Sequence, residues 1–390
     1  MSLYARQIAG TVVLFVIARY LSVYEYGLFS SYKTIAMFVL LFANMGYESY
    51  ILVSSKKNVK IVKIKIFMFL LNALAVLMFS IFISPFMKFE NLLIFILVLC
   101  RQFFDGTFFA LVLPYFQSAN KFVSISIINI IYSLLIVIIA TISYYFKLSL
   151  TCFLYLSVIL GLINFIQCII YIRIPIIKYI KEFFALFSYI DKSIMGYMLV
   201  NICFILYTQI PSFYIANFVS RESAALFFAA FTISSVVNLF IGAKCQKIMP
   251  EFITRNVNTV KLILKNSVFS TLIITFFIFI FFVFFGKFIL KLLYSKPYYV
   301  NAYLLLLILS LGNILWGVGK VFSTYIISQN YYKVIWKMQI ESILVSIIIL
   351  ILLNNLGVYA AAISYFCSLV YISTKYIVFS LKILKEGENI

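Results

Sequence analysis

Arg101 and Asp105 stand four residues apart inside one continuous apolar run, 92–116. On a helix that spacing is one turn, so the guanidinium and the carboxylate are neighbours. An ionisable side chain at the centre of a membrane costs about 2.5–3.5 kcal/mol on insertion scales, which makes such residues functional candidates. Other polar residues recur at helical spacing. At about 100° per residue, Lys33 to Asn44 closes to about 20° and Asn44 to Glu48 to about 40°, so the three share one face. Asn313, Trp316, Lys320 and Thr324 form a second stripe, and Ser364, Ser368, Tyr371 and Lys375 a third. Tyr197, Asn201, Thr208 and Ser212 form a fourth, with Pro211 able to bend the helix, and Lys337 lies four residues before Glu341.

Cations at such positions offer charge-assisted donors to an anionic ligand. Arg101, the most central, ranks first, followed by Lys320, Lys33 and Lys375, with Asn44 and Asn313 as neutral partners. The carboxylates of Asp105, Glu48 and Glu341 are candidates for a coupling proton or sodium ion. Each has a structural alternative. Lys33 and Lys375 lie near span ends, where a lysine can snorkel to headgroups. Arg101–Asp105 can be a static pair and Lys337–Glu341 an interfacial one. Serine and threonine stripes serve helix packing more often than ligands, and Trp316 either packs or stacks on cargo. The chain has no histidine, which excludes Ser-His, Cys-His and His-metal sites. Its six cysteines, without a CxxC pair, read as small apolar residues. No catalytic residue, cofactor or metal is expected.

The elements that carry these residues are membrane helices. Of 390 residues 65% are hydrophobic and 11% charged, and the mean hydropathy is +1.13. A soluble domain carries roughly 25% charged residues. Disorder and a β-barrel are both excluded, since the apolar runs are continuous and about 20 residues long. Twelve spans are expected, near 3–20, 30–52, 66–86, 92–116, 123–146, 151–172, 193–215, 223–243, 267–290, 301–327, 334–353 and 358–380. Polar connections run through Arg173–Lys192 and Lys244–Lys265, and the first divides the spans six and six. The expected fold is all-α and integral to the membrane, with six-helix bundles at 1–180 and 181–390.

The net charge of +20 reflects basic loops rather than a nucleic-acid surface. With the N-terminus inside, 19 lysines and arginines fall on the inner side and 7 on the outer. Both termini are therefore expected in the cytoplasm. The basic loop Lys56–Lys65 is a topology signal that also attracts anionic lipid. The first span lacks a cleavage site and reads as a retained helix; its abrupt start suggests a few missing upstream residues.

A faint repeat connects the halves. Glu25–Phe29 with Thr34–Ile35 aligns with Ser223–Phe227 and Thr232–Ile233, and Tyr115–Asn120 with Tyr325–Asn330. Repeats of this kind place a substrate at their interface near the midplane.

Three segments carry a family resemblance. Arg19-Tyr-Leu-Ser-Val-Tyr-Glu25-Tyr-Gly27-Leu-Phe29, with Asn44-Met-Gly46, resembles the R-x-L-G-x-x-x-Y-G-x-Y/F … D-x-G pattern of Wzx-type polysaccharide flippases. Phe285-Gly286-Lys287 through Leu293, with Tyr299–Ala302, resembles their F-G-x-x-I-L-x-L-L-G-x-x-Y-x-x-A stretch. Leu356-Gly357-Val-Tyr-Ala360-Ala361-Ala362 resembles the G-x-x-G-A-A start of their last span. Ser22 replaces the usual glycine and Asn44 a common aspartate.

The resemblance implies the multidrug/oligosaccharidyl-lipid/polysaccharide (MOP) exporter fold, with two MATE-like bundles in the bacterial inner membrane. It implies a flippase that carries an undecaprenyl-diphosphate-linked oligosaccharide, commonly an O-antigen unit of lipopolysaccharide, to the periplasmic leaflet. Partners would then be the lipid-linked cargo, membrane lipid and the polysaccharide polymerase machinery. The cations would grip the diphosphate. An enzyme alternative is a membrane polysaccharide polymerase, against which the short outer loops count. A multidrug exporter of the same superfamily would favour acidic over basic cavity residues.

Overall fold

The structure is a computed structural model that describes residues 2–44, 59–86, 89–118, 122–173, 194–254, 257–329 and 331–386. Among the described residues there are twelve long helices and no strand. They are α1 (Ser2–Tyr20), α2 (Val23–Asn44), α3 (Val59–Ile83), α4 (Leu92–Ser118), α5 (Phe122–Tyr145) and α6 (Leu150–Ile172). The second six are α7 (Ile194–Phe218), α8 (Arg221–Thr254), α9 (Val257–Tyr294), α10 (Tyr303–Ser328), α11 (Tyr332–Leu352) and α12 (Val358–Glu386). Nine of the described helices carry a stretch long and apolar enough to cross a membrane. The chain is an all-α, multi-pass membrane protein.

Helix ends depart from the apolar runs where polar residues still favour helix. The second span was expected to open near residue 30, but α2 starts at Val23. Ser22 caps it: its Oγ accepts from the Glu25 N–H at 3.1 Å, while Glu25 Oε2 accepts from the Ser22 N–H at 2.8 Å. This reciprocal capping box satisfies two otherwise orphaned N–H groups. The equivalent position of the second half keeps only the N-cap, since Ser220 Oγ accepts from the Ser223 N–H at 3.3 Å. Most of the Lys244–Lys265 connection is also helix. Helix α8 runs on to Thr254 and α9 begins at Val257. A helix needs internal hydrogen bonds, not apolarity, so it continues past the apolar run.

The chain divides into two compact units, Met1–Ile205 and Leu206–Ile390. The boundary expected at 180/181 lies outside the described residues. Within the first unit α1 packs on α5, α4 on α6 and α2, and α3 on α2 and α4. Val13, Ile17, Phe29, Tyr32, Phe103 and Phe153 are all buried in its core.

Within the second unit α10 is central, packing against α12, α8 and α9. Its span is 67% buried, against 17% for α9. Composition explains the difference. Helix α9 presents Phe277, Phe284 and Phe288 outward, 61–77% exposed. Helix α10 carries small residues that admit close neighbours. A Cβ on Gly319 would lie 2.9 Å from the Ser373 Cα, so glycine is what lets α12 approach there.

Candidate functional site

Each unit holds a charged cluster. In the first unit the cluster centres on Asp105 of α4, but its partner is not the one that helical spacing suggests. Arg6 of α1 donates from Nη2 to Asp105 Oδ1 at 2.8 Å, and Tyr132 of α5 donates to the same oxygen. Arg101 Nε is 3.9 Å from Asp105 Oδ2, an ion pair without a hydrogen bond. The Arg6 guanidinium also lies over the Tyr132 ring, 4.0 Å from its centroid. Helix α1 packs along α5, and that contact brings residues 99 apart in sequence together.

Arg101 is left in a dry aromatic setting. Its side chain is 9% exposed, and its Cζ lies 5.1 Å from the Phe153 ring centroid and 5.8 Å from that of Phe29. Neither Nε nor Nη1 makes a hydrogen bond. Buried guanidinium donors without acceptors are costly. Half-buried Lys33 of α2 is within electrostatic reach of both Arg101 and Asp105. Two arginines therefore share the Asp105 carboxylate. Asn129, one turn from Tyr132 on α5, is fully buried with both amide groups unbonded.

Arg6 and Asn129 were both missed by the spacing argument. Arg6 carried a readable signal, since it is an arginine inside an apolar span like Arg101. Asn44 closes α2, and Glu48 lies outside the described residues.

The second unit gathers its candidates differently. Asn313 of α10 is buried and bonded between helices. Its Nδ2 donates to the Ser234 carbonyl at 3.0 Å, and its Oδ1 accepts from Tyr365 Oη at 3.2 Å and from Asn238 Nδ2 at 3.4 Å. Lys320 Nζ stands 5.7 Å from the Trp316 ring centroid, and Trp316 meets Tyr207 edge-on. Trp316 is buried, so it packs.

The stripe Ser364–Ser368–Tyr371–Lys375 forms the seam between α12 and α11. Ser364 Oγ lies 2.7 Å from Ser346 Oγ, and Ser342 Oγ donates to the Ser368 carbonyl at 2.9 Å. At the end of the seam Lys375 Nζ is 2.9 Å from Glu341 Oε2, and Tyr371 Oη donates to that oxygen at 2.6 Å. Glu341 therefore pairs across helices, and Lys337 sits over Trp336 instead, 5.9 Å from its ring centroid. The Lys375 and Glu341 side chains are 43% and 44% exposed. No group of three or more metal-ligating side chains occurs among the described residues.

Whole-fold comparison places this arrangement among known architectures. An inward-facing MATE family multidrug resistance transporter of the MOP superfamily superposes with a TM-score of 0.73 at 11% identity, covering 98% of this chain and 96% of that one. The fold is that of the MOP superfamily transporters. The lipid II flippase MurJ, in its inward closed conformation, matches at TM-score 0.70 and 18% identity, covering 98% of this chain and 86% of that one. A MOP superfamily transporter from Pyrococcus furiosus, described as having a binding pocket of reverse polarity, matches at 0.70 and 13% identity, with 99% and 94% covered. No family model and no curated protein matches the chain.

Proposed function

We propose that the chain is a flippase that carries an undecaprenyl-diphosphate-linked oligosaccharide, an O-antigen or other surface polysaccharide unit, from the cytoplasmic to the periplasmic leaflet by alternating access. Its membrane is the bacterial inner membrane, with both termini in the cytoplasm. The observation that carries this reading is the pair of arginines at Asp105: Arg6 bonds its carboxylate and Arg101 stands 3.9 Å away, two cations at one carboxylate. A cluster with net positive charge inside a membrane fold calls for an anion, and a diphosphate satisfies several donors at once. Arg101 supplies the grip, because Arg6 already holds Asp105 and two Arg101 nitrogens have no hydrogen bond. Asp105 is the site for a coupling proton or sodium ion.

A multidrug exporter is the second reading, favoured by the MATE likeness. The same cation excess works against it for cationic drugs, which would meet like charge. The test is a flipping assay in liposomes holding the purified full chain, with a fluorescent prenyl-diphosphate saccharide. Transbilayer movement of the diphosphate probe, competed by unlabelled prenyl diphosphate and not by a lipophilic cation, supports the flippase. Movement of the cation alone overturns it.

A further inference from the structure

Asp105 has two arginines to choose from, and the nearer in sequence is not the one it takes. Arg101 lies one turn away on the same helix, so the two could join without any help from tertiary packing. Arg101 also has reason to join, because its Nε and Nη1 make no hydrogen bond in a buried setting. Yet it stands 3.9 Å off, and Asp105 turns its Oδ1 to Arg6 of α1 instead.

Tyr132 of α5 touches both members of the preferred pair. Its hydroxyl donates to Asp105 Oδ1, the same oxygen that accepts from Arg6 Nη2 at 2.8 Å. Its ring lies under the Arg6 guanidinium, 4.0 Å from Cζ to centroid, which is cation–π contact. Tyr132 is itself buried, 4% exposed, so the ring has little freedom to leave. One side chain thus aims the carboxylate and seats the cation. Without the hydroxyl, Oδ1 keeps a single donor, and the carboxylate is free to turn toward Arg101, which gains the hydrogen bonds it lacks.

We infer that Tyr132 is a positioning residue of the anion site: it holds Asp105 on Arg6 and thereby keeps Arg101 open for the diphosphate. The ligand in this assignment rests on the proposed flippase activity; the clamp does not.

The experiment measures binding of farnesyl diphosphate to the detergent-purified full chain by calorimetry, together with ligand-free structures of the variants. Tyr132→Phe keeps the ring and removes the hydroxyl, and should bind the diphosphate about tenfold more weakly than the wild type. On an Asp105→Asn background the same change should cost less than about twofold, because a neutral amide does not draw Arg101 in. The ligand-free Tyr132→Phe structure should show an Arg101 nitrogen within hydrogen-bond distance of Asp105. If Tyr132→Phe does not fold, Arg6→Gln takes its place, and its ligand-free structure should show the same closure. Undiminished binding by Tyr132→Phe overturns the assignment. So does a tenfold loss that persists with Asp105→Asn, since Tyr132 would then touch the anion or support the fold by itself. Arg101 still 3.9 Å from Asp105 in the variant structure overturns the clamp. A wild type that binds no farnesyl diphosphate overturns the flippase reading instead, and the ligand-free structure then decides the clamp alone.

Discussion

Arg6 and Asp105, 99 residues apart, form a part-buried salt bridge at 2.8 Å that fastens α1 to α4. Arg101, one turn from Asp105 on the same helix, stands off at 3.9 Å. The pair nearest in sequence is thus the weaker, and Arg101 keeps two nitrogens without a hydrogen bond.

Arg6→Ala should cost about 1.5–3 kcal/mol of stability, because it removes the charged hydrogen bond to Asp105 and leaves Tyr132 and the more distant Arg101 as its partners. Arg6→Ala with Asp105→Ala should recover much of that loss. Thermal unfolding of the detergent-purified variants, read as a double-mutant cycle, checks the coupling; additive losses would show that the two residues do not act as a pair.

Gly319→Ala should destabilise by about 1–3 kcal/mol, since the new methyl meets the α12 backbone at Ser373 Cα, 2.9 Å away. Gly312→Ala should be milder, because its nearest backbone neighbour, Phe366 Cα, is 3.4 Å away. The comparison needs only the two melting temperatures, and the reverse order would refute the close approach.

Ser346→Ala and Ser364→Ala should each lose about 1 kcal/mol, as each leaves a buried hydroxyl with one partner fewer. The double variant should lose less than the sum. A strictly additive result in thermal unfolding would mean that the two hydroxyls stabilise α11 and α12 separately.

The positions of the twelve helices were legible because membrane spans advertise themselves as long apolar runs. Their ends were less so. Ser22 and Glu25 start α2 through a capping box inside a stretch that looks like a polar loop, and Lys244 and Lys247 sit on helix beyond an apolar run. The ionisable candidates were legible one helix at a time, by spacing. Their partners were not, because Arg6 reaches Asp105, and Lys375 reaches Glu341, across helices whose packing no local period encodes. Asn313 shows the same limit from the other side: its stripe suggested a ligand, yet its amide is engaged by Ser234, Asn238 and Tyr365.

A reporter fused after Ile390 and one inserted beside Lys147, between α5 and α6, should report opposite sides of the membrane, with the C-terminus cytoplasmic. The basis is the 19-to-7 distribution of lysine and arginine between the two sets of loops. Reporters on the same side would break the twelve-span topology.

The role proposed for Arg101 is to receive an anionic cargo. It is tested most directly by Arg101→Leu, measured both for thermal stability and for flipping of a prenyl-diphosphate saccharide in liposomes. Removing a buried cation that makes no hydrogen bond through Nε or Nη1 should leave stability unchanged or raised. Flipping should fall to background, and Arg101→Lys should recover only part of it, since an ammonium keeps the charge and loses the planar fork. Flipping by Arg101→Leu at the wild-type rate would contradict the account.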